Sequence, residues 1–194
     1  MARSSGSALL RLGRTLEAIG AWPGLAASWL ILPIIAAVLL AVVGSQLRVN
    51  EIVQWGTSVP LFGSGLTLTG LAELQWHLFG VMVLLGGAYA LRANRHVRVD
   101  MVYEQLKPRT RSLIDLLGDL IFLVPFALLM AYLSLGFVGM AYQSGEQSDY
   151  GGLIDRYLIK AIMPIGFAFL ALTAVGRIIA NLALLLGQQD EVRR

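Results

Sequence analysis

The chain lacks cysteine altogether, and it has only two histidines and few charged residues for its length. Without cysteine it forms no disulfide, holds no metal through thiolates and has no cysteine nucleophile. Charged residues make up 14% of its 194 residues, whereas soluble domains average about 25%. Hydrophobic residues make up 57%, and the mean hydropathy is +0.71, so most of the chain is predicted to lie in a membrane.

The two histidines are too far apart to act as a pair of ligands. His77 and His96 are separated by 19 residues, or roughly 28 Å along a helix, whereas the two axial ligands of a haem lie at one membrane depth. A two-histidine metal site is excluded for the same reason. The sequence also has no phosphate-binding P-loop, no G-x-S-x-G elbow and no H-E-x-x-H motif. We therefore predict no enzyme activity and no cofactor.

Four apolar runs are long enough to cross a bilayer, which takes roughly 20 residues of helix. None of them alternates with a period of two, so barrel strands are not expected. The predicted fold class is an all-α integral membrane protein with a four-helix membrane domain at residues 25–186 and a tail at residues 187–194. We interpret the first run as a retained helix rather than a signal peptide. The predicted spans are 25–43, 74–91, 113–142 and 157–186.

The basic residues predict the orientation of these helices. Eleven Lys and Arg residues lie in the N-terminal segment, the loop after the second span and the C-terminal tail, against three in the other two loops. Basic residues are enriched in cytoplasmic loops, so both termini are predicted to be cytoplasmic. Cations confined to short loops between apolar runs indicate membrane orientation and no nucleic-acid partner.

The N-terminal segment, residues 1–24, is predicted to contain a short amphipathic helix on the inner membrane surface. Leucine and isoleucine recur at helical spacing between Ser7 and Ile19, and charged residues occupy the other faces. Tryptophans at the ends of the apolar runs are predicted to be interfacial anchors in contact with membrane lipids. These anchors are Trp22 and Trp29 at the inner side, and Trp55 and Trp76 at the outer side.

Two further patterns concern the outer loop and the packing of the helices. Residues 56–70 are rich in Gly, Ser and Thr and are predicted to be an extracytoplasmic loop, with a weak strand-like alternation at residues 66–69. Small residues four apart allow two helices to approach closely and favour a bundle or a partner interface. Such pairs occur at Ala37 and Ala41, Gly86 and Ala90, and Gly176 and Ala180.

Three ionisable residues fall inside the apolar runs, near the cytoplasmic side. Asp119 and Arg177 are each predicted to lie roughly 8–13 Å from the inner boundary, where an unpaired charge costs about 1–3 kcal/mol. We therefore predict that Arg177 pairs with Asp119, with Asp115 as the alternative or second acceptor one turn away. The alternative is that Arg177 extends to the lipid headgroups and each aspartate finds water or a partner subunit.

Helix two and the loop after it carry a more specific signal. The sequence reads Q-W-H-L-F at residues 75–79, L-G-G-A-Y-A-L at residues 85–91 and N-R-H-V-R-V-D at residues 94–100. These segments resemble the DctQ-type small membrane subunit of tripartite ATP-independent periplasmic (TRAP) transporters. The later S-L-I-D, P-F and M-P-I-G-F segments and the four-helix layout agree with the resemblance, which covers about residues 73–180.

The resemblance implies a transporter of three parts in the inner membrane of a bacterium. A periplasmic binding protein captures a substrate, usually an organic acid, and a large membrane subunit carries it inward with sodium. The small subunit acts as a scaffold for the large one, without ATP. The alternatives are a dimeric four-helix carrier that acts alone and the membrane anchor of a redox enzyme.

Two interpretations of the H-V-R-V-D loop stand side by side. In the first, the loop only orients helix two through its positive charge. In the second, His96, Arg98 and Asp100 fix the loop and dock the large subunit or lipid phosphates, which an arginine binds well through two parallel hydrogen bonds. With Asp115, Asp119 and Arg177 they are the candidate structural or partner-docking residues. The sequence predicts no substrate-binding, catalytic or metal-binding residue.

Overall fold

The computed structural model describes the backbone of residues 2–95, 103 and 105–192, and within these residues the side chains from residue 6 to residue 186. Long helices dominate this part of the chain. In chain order the elements are α1 (Ala2–Ala27), a 3-10 turn (Ser28–Leu30), α2 (Ile31–Gln46), β1 (Glu51–Val59), β2 (Gly63–Thr67), α3 (Leu68–Arg92), α4 (Pro108–Gly118), a π-helical turn (Asp119–Leu123), α5 (Val124–Gln143), α6 (Tyr157–Lys160) and α7 (Ile162–Val192).

Four helical stretches are long and apolar enough to cross a membrane, as predicted. They run over Gly6–Gln46, Leu68–Arg92, Pro108–Gln143 and Tyr157–Leu186. Each contains one of the spans expected from hydropathy. The predicted fold class, an all-α four-helix membrane protein, is therefore confirmed. We call the end of the bundle that holds β1, β2 and residues 144–156 the hairpin end, and the opposite end, with Gly6, Arg92 and Leu186, the terminal end.

The N-terminal helix is longer than the short amphipathic helix expected between Ser7 and Ile19. α1 extends over 26 residues and is separated from α2 only by the 3-10 turn. Pro23 lies inside α1, and its missing N–H removes one helical hydrogen bond close to this turn. Several apolar side chains of α1 are exposed, for example Leu12 at 49% and Ile19 at 53%, as expected for a face that contacts lipid.

Glycines on α1 allow it to pack closely along α7, in the antiparallel direction. A Cβ atom on Gly13 would lie 2.7 Å from both Ala180 N and Gly176 O. Because backbone atoms cannot move aside as a flexible side chain can, only glycine fits here. Gly176 and Ala180, the pair of small residues predicted to favour a helix contact, thus contact α1.

The helix α7 contacts α1, α3, α4 and α5 and forms the centre of the bundle. Its buried positions are mostly small: Ala174 and Thr173 are fully buried, as are Ala21 of α1 and Ala88 of α3. Membrane helices pack through small residues because lipid provides no hydrophobic drive between them. The bundle therefore has an alanine-rich interior, and its large apolar side chains point outward.

A two-stranded antiparallel hairpin stands between α2 and α3 at the hairpin end. Glu51 pairs with Thr67 and Val59 with Gly63, with two irregularities in register between them. The segment from residue 56 was expected to be a loop with weak strand character, and the structure shows a hairpin that begins at Glu51. The Thr67 side chain ends β2 by accepting a hydrogen bond from Gly70 N at 3.0 Å, which caps the start of α3.

Candidate functional site

The predicted pair between Arg177 and Asp119 is present at the terminal end. Arg177 Nε donates to Asp119 Oδ2 at 2.5 Å, and Arg177 Nη2 donates to Asp119 Oδ1, which makes a two-point contact. The Asp119 side chain is 3% exposed and that of Arg177 is 16% exposed. Two parallel charged hydrogen bonds are the strongest polar contact available to these side chains. The pair therefore links the third membrane helix to α7.

The local chain explains how Asp119 reaches this position. Asp119 begins the π-helical turn, in which Val124 N donates to Asp119 O five residues back. The turn ends two residues before Pro125, whose ring lacks an N–H and would crowd the carbonyl four residues earlier in a regular α-helix. The wider turn relieves this conflict, and such π-turns are frequent at functional sites.

Asp115 lies one helical turn before Asp119 and binds elsewhere. The Tyr103 hydroxyl donates to Asp115 Oδ2 at 2.7 Å, and the Arg111 guanidinium lies 5.6 Å from the centre of the Tyr103 ring. Asp115 also interacts electrostatically with Arg177. It thus supports the pair at longer range, while Asp119 accepts both hydrogen bonds.

A third carboxylate, Glu17, joins this cluster from α1, the helix that packs along α7. A Cβ atom on Gly176 would lie 2.7 Å from Glu17 N, so the two helices touch through backbone at this level. Glu17 interacts electrostatically with Arg177, Arg92 and Arg14. We call Glu17, Asp115, Asp119 and Arg177 the terminal cluster. It brings three acids, from α1, α4 and the π-helical turn, together around one base, Arg177 of α7.

A second polar cluster, centred on Glu73, lies at the hairpin end. Glu73 Oε1 accepts hydrogen bonds from Ser148 Oγ at 2.6 Å and from Arg156 Nη2 at 3.0 Å. Glu73 Oε2 accepts one from Leu153 N at 2.9 Å. One carboxylate on α3 therefore holds three points of the segment 144–156. A Cβ atom on Gly152 would lie too close to Glu73 Oε2, so a larger residue there would push the Glu73 carboxylate aside.

The segment 144–156 is also fixed to the last membrane helices and to the hairpin. Lys160 forms an ion pair with Glu146 and lies 3.9 Å from the centre of the Phe137 ring. Ile154 N donates to Leu61 O at 2.9 Å, which joins the segment to the hairpin turn. We call Glu73, Glu146, Arg156 and Lys160 the hairpin-end cluster. It closes this end of the bundle with two ion pairs.

The remaining candidate residues divide into two groups. His96, Arg98 and Asp100 lie outside the described residues, so their proposed docking role stays a prediction. Trp22, Trp29 and Trp76 are 68%, 70% and 76% exposed, as lipid-facing side chains are. Trp55 differs, because its indole N–H donates to Gly63 O at 2.7 Å inside the hairpin. For all four tryptophans the anchor role stays a prediction.

Sequence reasoning did not single out Glu73, Glu146, Arg156, Lys160 or Glu17 as site residues. Arg156 and Lys160 were counted only among the three cations of the other two loops, and residue 73 appeared only as the start of the segment that resembles the DctQ family. The signal that was available is an acid at the outer boundary of one span facing two bases at the boundary of another. Opposite charges at the same boundary of two spans predict ion pairs, because a charge at a membrane boundary is stabilised by a partner.

The chemistry of both clusters is the pairing of acids with bases. In the part of the chain that the structure describes, no group of three or more His, Asp or Glu side chains is arranged to hold a metal ion. The charged groups inside the apolar helices lie near their ends and face one another. This arrangement joins helices.

Comparison with known protein families gives a match over most of the chain. The family model described as tripartite ATP-independent periplasmic transporters, DctQ component, matches residues 60–184. This range contains α3 to α5, α6 and most of α7, and with them Glu73, Asp115, Asp119 and Arg177. No curated protein and no solved structure matches the chain.

Proposed function

Because this chain belongs to the DctQ component family of tripartite ATP-independent periplasmic transporters, we propose that it is the static scaffold subunit of a sodium-driven importer. In this proposal a large membrane subunit moves the substrate, an organic acid, and a periplasmic binding protein delivers it. The chain itself resides in the inner membrane of a bacterium and binds no substrate. Its contribution is a rigid surface against which the large subunit works.

The observation that carries the scaffold role is the engagement of buried charges with one another. Asp119 binds Arg177 at the terminal end, and Glu73 binds Arg156 at the hairpin end. A carrier that moves an anion or sodium ion needs polar groups free to bind it near the middle of the membrane. Here the charged groups lie at the two ends and tie pairs of helices, which supports a static role.

The exposed faces of the helices support a partner within the membrane. Large apolar side chains cover the outside of the third span, including Phe122 and Tyr132, each 72% exposed. In a membrane such a surface faces lipid or another subunit. A bundle of four helices buries only a small part of its apolar surface, so most of it remains available for contact with lipid or a partner. We propose that the large membrane subunit covers part of this surface and lipid covers the rest.

The test is reconstitution in liposomes with and without partners. The small subunit alone is expected to move no solute, with or without a sodium gradient. Together with the large subunit and the binding protein of the same transporter, it is expected to support uptake that requires sodium and a loaded binding protein. Uptake by the small subunit alone would contradict the scaffold role and favour the dimeric carrier.

A matched control tests whether transport requires this chain. Liposomes that contain the large subunit and the binding protein, without this chain, are expected to show little uptake. Full uptake in its absence would show that transport does not need the scaffold, and the proposal would then fail. Uptake that persists after collapse of the sodium gradient would overturn the sodium-driven part alone.

A further inference from the structure

A cavity of about 230 Å³ opens at the hairpin end, between one face of the hairpin and the segment 144–156. Its walls combine apolar side chains with one carboxylate. Val53, Leu66 and Ile154 provide apolar surface, and Glu51 lies at the wall with its carboxylate bound to Gln54 Nε2 at 2.5 Å. Gly151 and Gly152 complete the wall on the side of the loop.

Glycines on β2 keep the cavity open. A Cβ atom on Gly65 would lie 2.8 Å from Val53 O, so a side chain at this position would press into the partner strand. Gly63 adopts a φ of 65°, which L-amino acids with side chains rarely do. Because neither glycine has a side chain, this face of the hairpin has unfilled space that forms part of the cavity.

The cavity is preformed because both of its walls are fixed. The Trp55 indole closes the hairpin on Gly63 O, and Thr67 Oγ1 donates to Gly151 O at 3.1 Å across the cavity wall. Three hydrogen bonds from the segment 144–156 to Glu73 hold the other side in place. A ligand that enters therefore orders few additional groups, which favours tight binding.

The electrostatics of the hairpin end select the ligand. Arg156 and Lys160 are already paired with Glu73 and Glu146. Glu51, Asp149 and Asp155 take part in no ion pair among the residues that the structure describes, and the exposed Arg48 offsets only one of them. Asp149 and Asp155 flank the lining residues Gly151 and Ile154. The surface around the cavity is thus acidic and complements a basic partner.

We propose, on the basis of the function proposed above, that this cavity receives a lysine or arginine side chain of the soluble binding protein. The aliphatic stem of that side chain packs on Val53, Leu66 and Ile154, and its charged head binds Glu51. Long basic side chains combine an apolar stem with a polar head in this way, and arginines in pockets are frequent binding hot spots. A soluble protein approaching the hairpin end meets this cavity first, beyond the ends of the membrane helices.

The experiment measures binding of the purified binding protein to the complete membrane complex in nanodiscs, at low and high salt. Glu51→Gln removes the charge and keeps the size of the side chain. It is expected to weaken binding about 3- to 10-fold at low salt, with a smaller effect at high salt because salt screens charges. No change at low salt would overturn the proposal.

A second pair of variants tests the cavity apart from net charge. Val53→Lys introduces a lysine into the cavity, where it would take the place of the partner's basic side chain. This variant is expected to weaken binding about 10-fold or more. Thr57→Lys adds the same charge to an exposed position of β1 outside the cavity, and it is expected to weaken binding by less than about 3-fold. Equal effects of the two lysines would show that only the overall charge matters, which contradicts the proposal.

Two further outcomes identify a wrong occupant or a wrong function. If Glu51→Gln and Val53→Lys reduce co-purification of the large subunit, the cavity belongs to the membrane interface and the proposal is overturned. If the wild-type complex transports substrate while the variants bind the binding protein normally, only the cavity proposal fails. If the wild-type complex neither binds the binding protein nor transports, the proposed function fails with it.

Discussion

Replacement of Asp119 by asparagine tests how much the terminal cluster stabilises the bundle. The Asp119 side chain is 3% exposed, so water cannot replace the two hydrogen bonds that it accepts from Arg177. Removal of one partner of a buried pair costs about 3–5 kcal/mol in soluble proteins. Glu17 and Asp115 lie within electrostatic range of Arg177 and compensate in part. We therefore expect Asp119→Asn to lower the free energy of unfolding by about 2–3 kcal/mol.

A double-mutant cycle separates the interaction from the separate costs of each change. Arg177→Gln is expected to cost a similar amount, and the double variant about as much as either single variant. The coupling energy is then about 2–3 kcal/mol, within the usual range for residues in direct contact. The measurement is unfolding of the purified protein in mixed micelles by increasing denaturing detergent. If the two single losses add without coupling, Arg177 and Asp119 do not support each other and the reasoning is refuted.

The ion pair between Glu146 and Lys160 provides the matched control for this cycle. Its side chains are 32% and 20% exposed, so solvent screens the pair more strongly than the buried one. The coupling energy of Glu146→Gln with Lys160→Gln is expected to stay below about 1 kcal/mol. An equal coupling in the two pairs would mean that burial does not set the strength of the terminal cluster.

Three further variants test other parts of the structure. Gly13→Ala is expected to destabilise the protein by about 1–3 kcal/mol through collision with α7, whereas Gly6→Ala, which has open space, is expected to be neutral or stabilising in thermal unfolding. Glu73→Gln is expected to speed hydrogen exchange of the Leu153 amide about 5- to 10-fold, because a hydrogen bond to a charged group contributes about 1.5–3 kcal/mol and one to a neutral acceptor about 0.5–1.5 kcal/mol. Tyr150→Cys is expected to react with an impermeant maleimide from the extracytoplasmic side, because Tyr150 is 83% exposed in a chain without cysteine.

Each of these predictions has an outcome that would contradict it. Equal stability of the Gly13 and Gly6 variants would mean that α1 does not pack along α7. Asp149→Asn is the control for Glu73→Gln. Equal exchange rates of the Leu153 amide in the two variants would contradict the hydrogen bond from Leu153 N to Glu73. Thr110→Cys is expected to react only from the cytoplasmic side. Labelling of Thr110→Cys and Tyr150→Cys from one side would refute the predicted topology.

The four membrane helices could be predicted because hydrocarbon thickness imposes a minimum length on each apolar run. The contact between Arg177 and Asp119 could be predicted because depth is readable from distance to a helix end, and two opposite charges at one depth attract. The hairpin-end cluster could not be predicted in this way. Its members are separated by long stretches of sequence, 75 residues between Glu73 and Ser148 and 83 between Glu73 and Arg156, and they meet only through loop geometry.

The packing of α1 shows a different limit of sequence reasoning. Its leucines recur at helical spacing and were expected to define the membrane-facing surface. Leu9 and Leu12 are exposed, whereas Leu16 is half-buried against Gly176 of α7. The residues that decide its neighbours are Gly13, Gly20 and Gly24, which leave no hydrophobic signal. Their spacing of seven and four residues places them on one face of a helix. In an alanine- and glycine-rich chain this spacing is common by chance, so the partner helix could not be named.

The position of the two clusters bears on how a scaffold keeps its shape beside a moving partner. A subunit that rocks or slides needs two packed arrangements of similar energy. In this chain α7 packs through alanine and glycine in the middle, is bound through Arg177 at one end, and is preceded by Arg156 and Lys160 in ion pairs at the other. Sliding of α7 by one turn would break these ion pairs and bring larger side chains against Gly13 of α1. Fixation at both ends therefore favours a single arrangement, as expected if the large subunit moves and this chain does not.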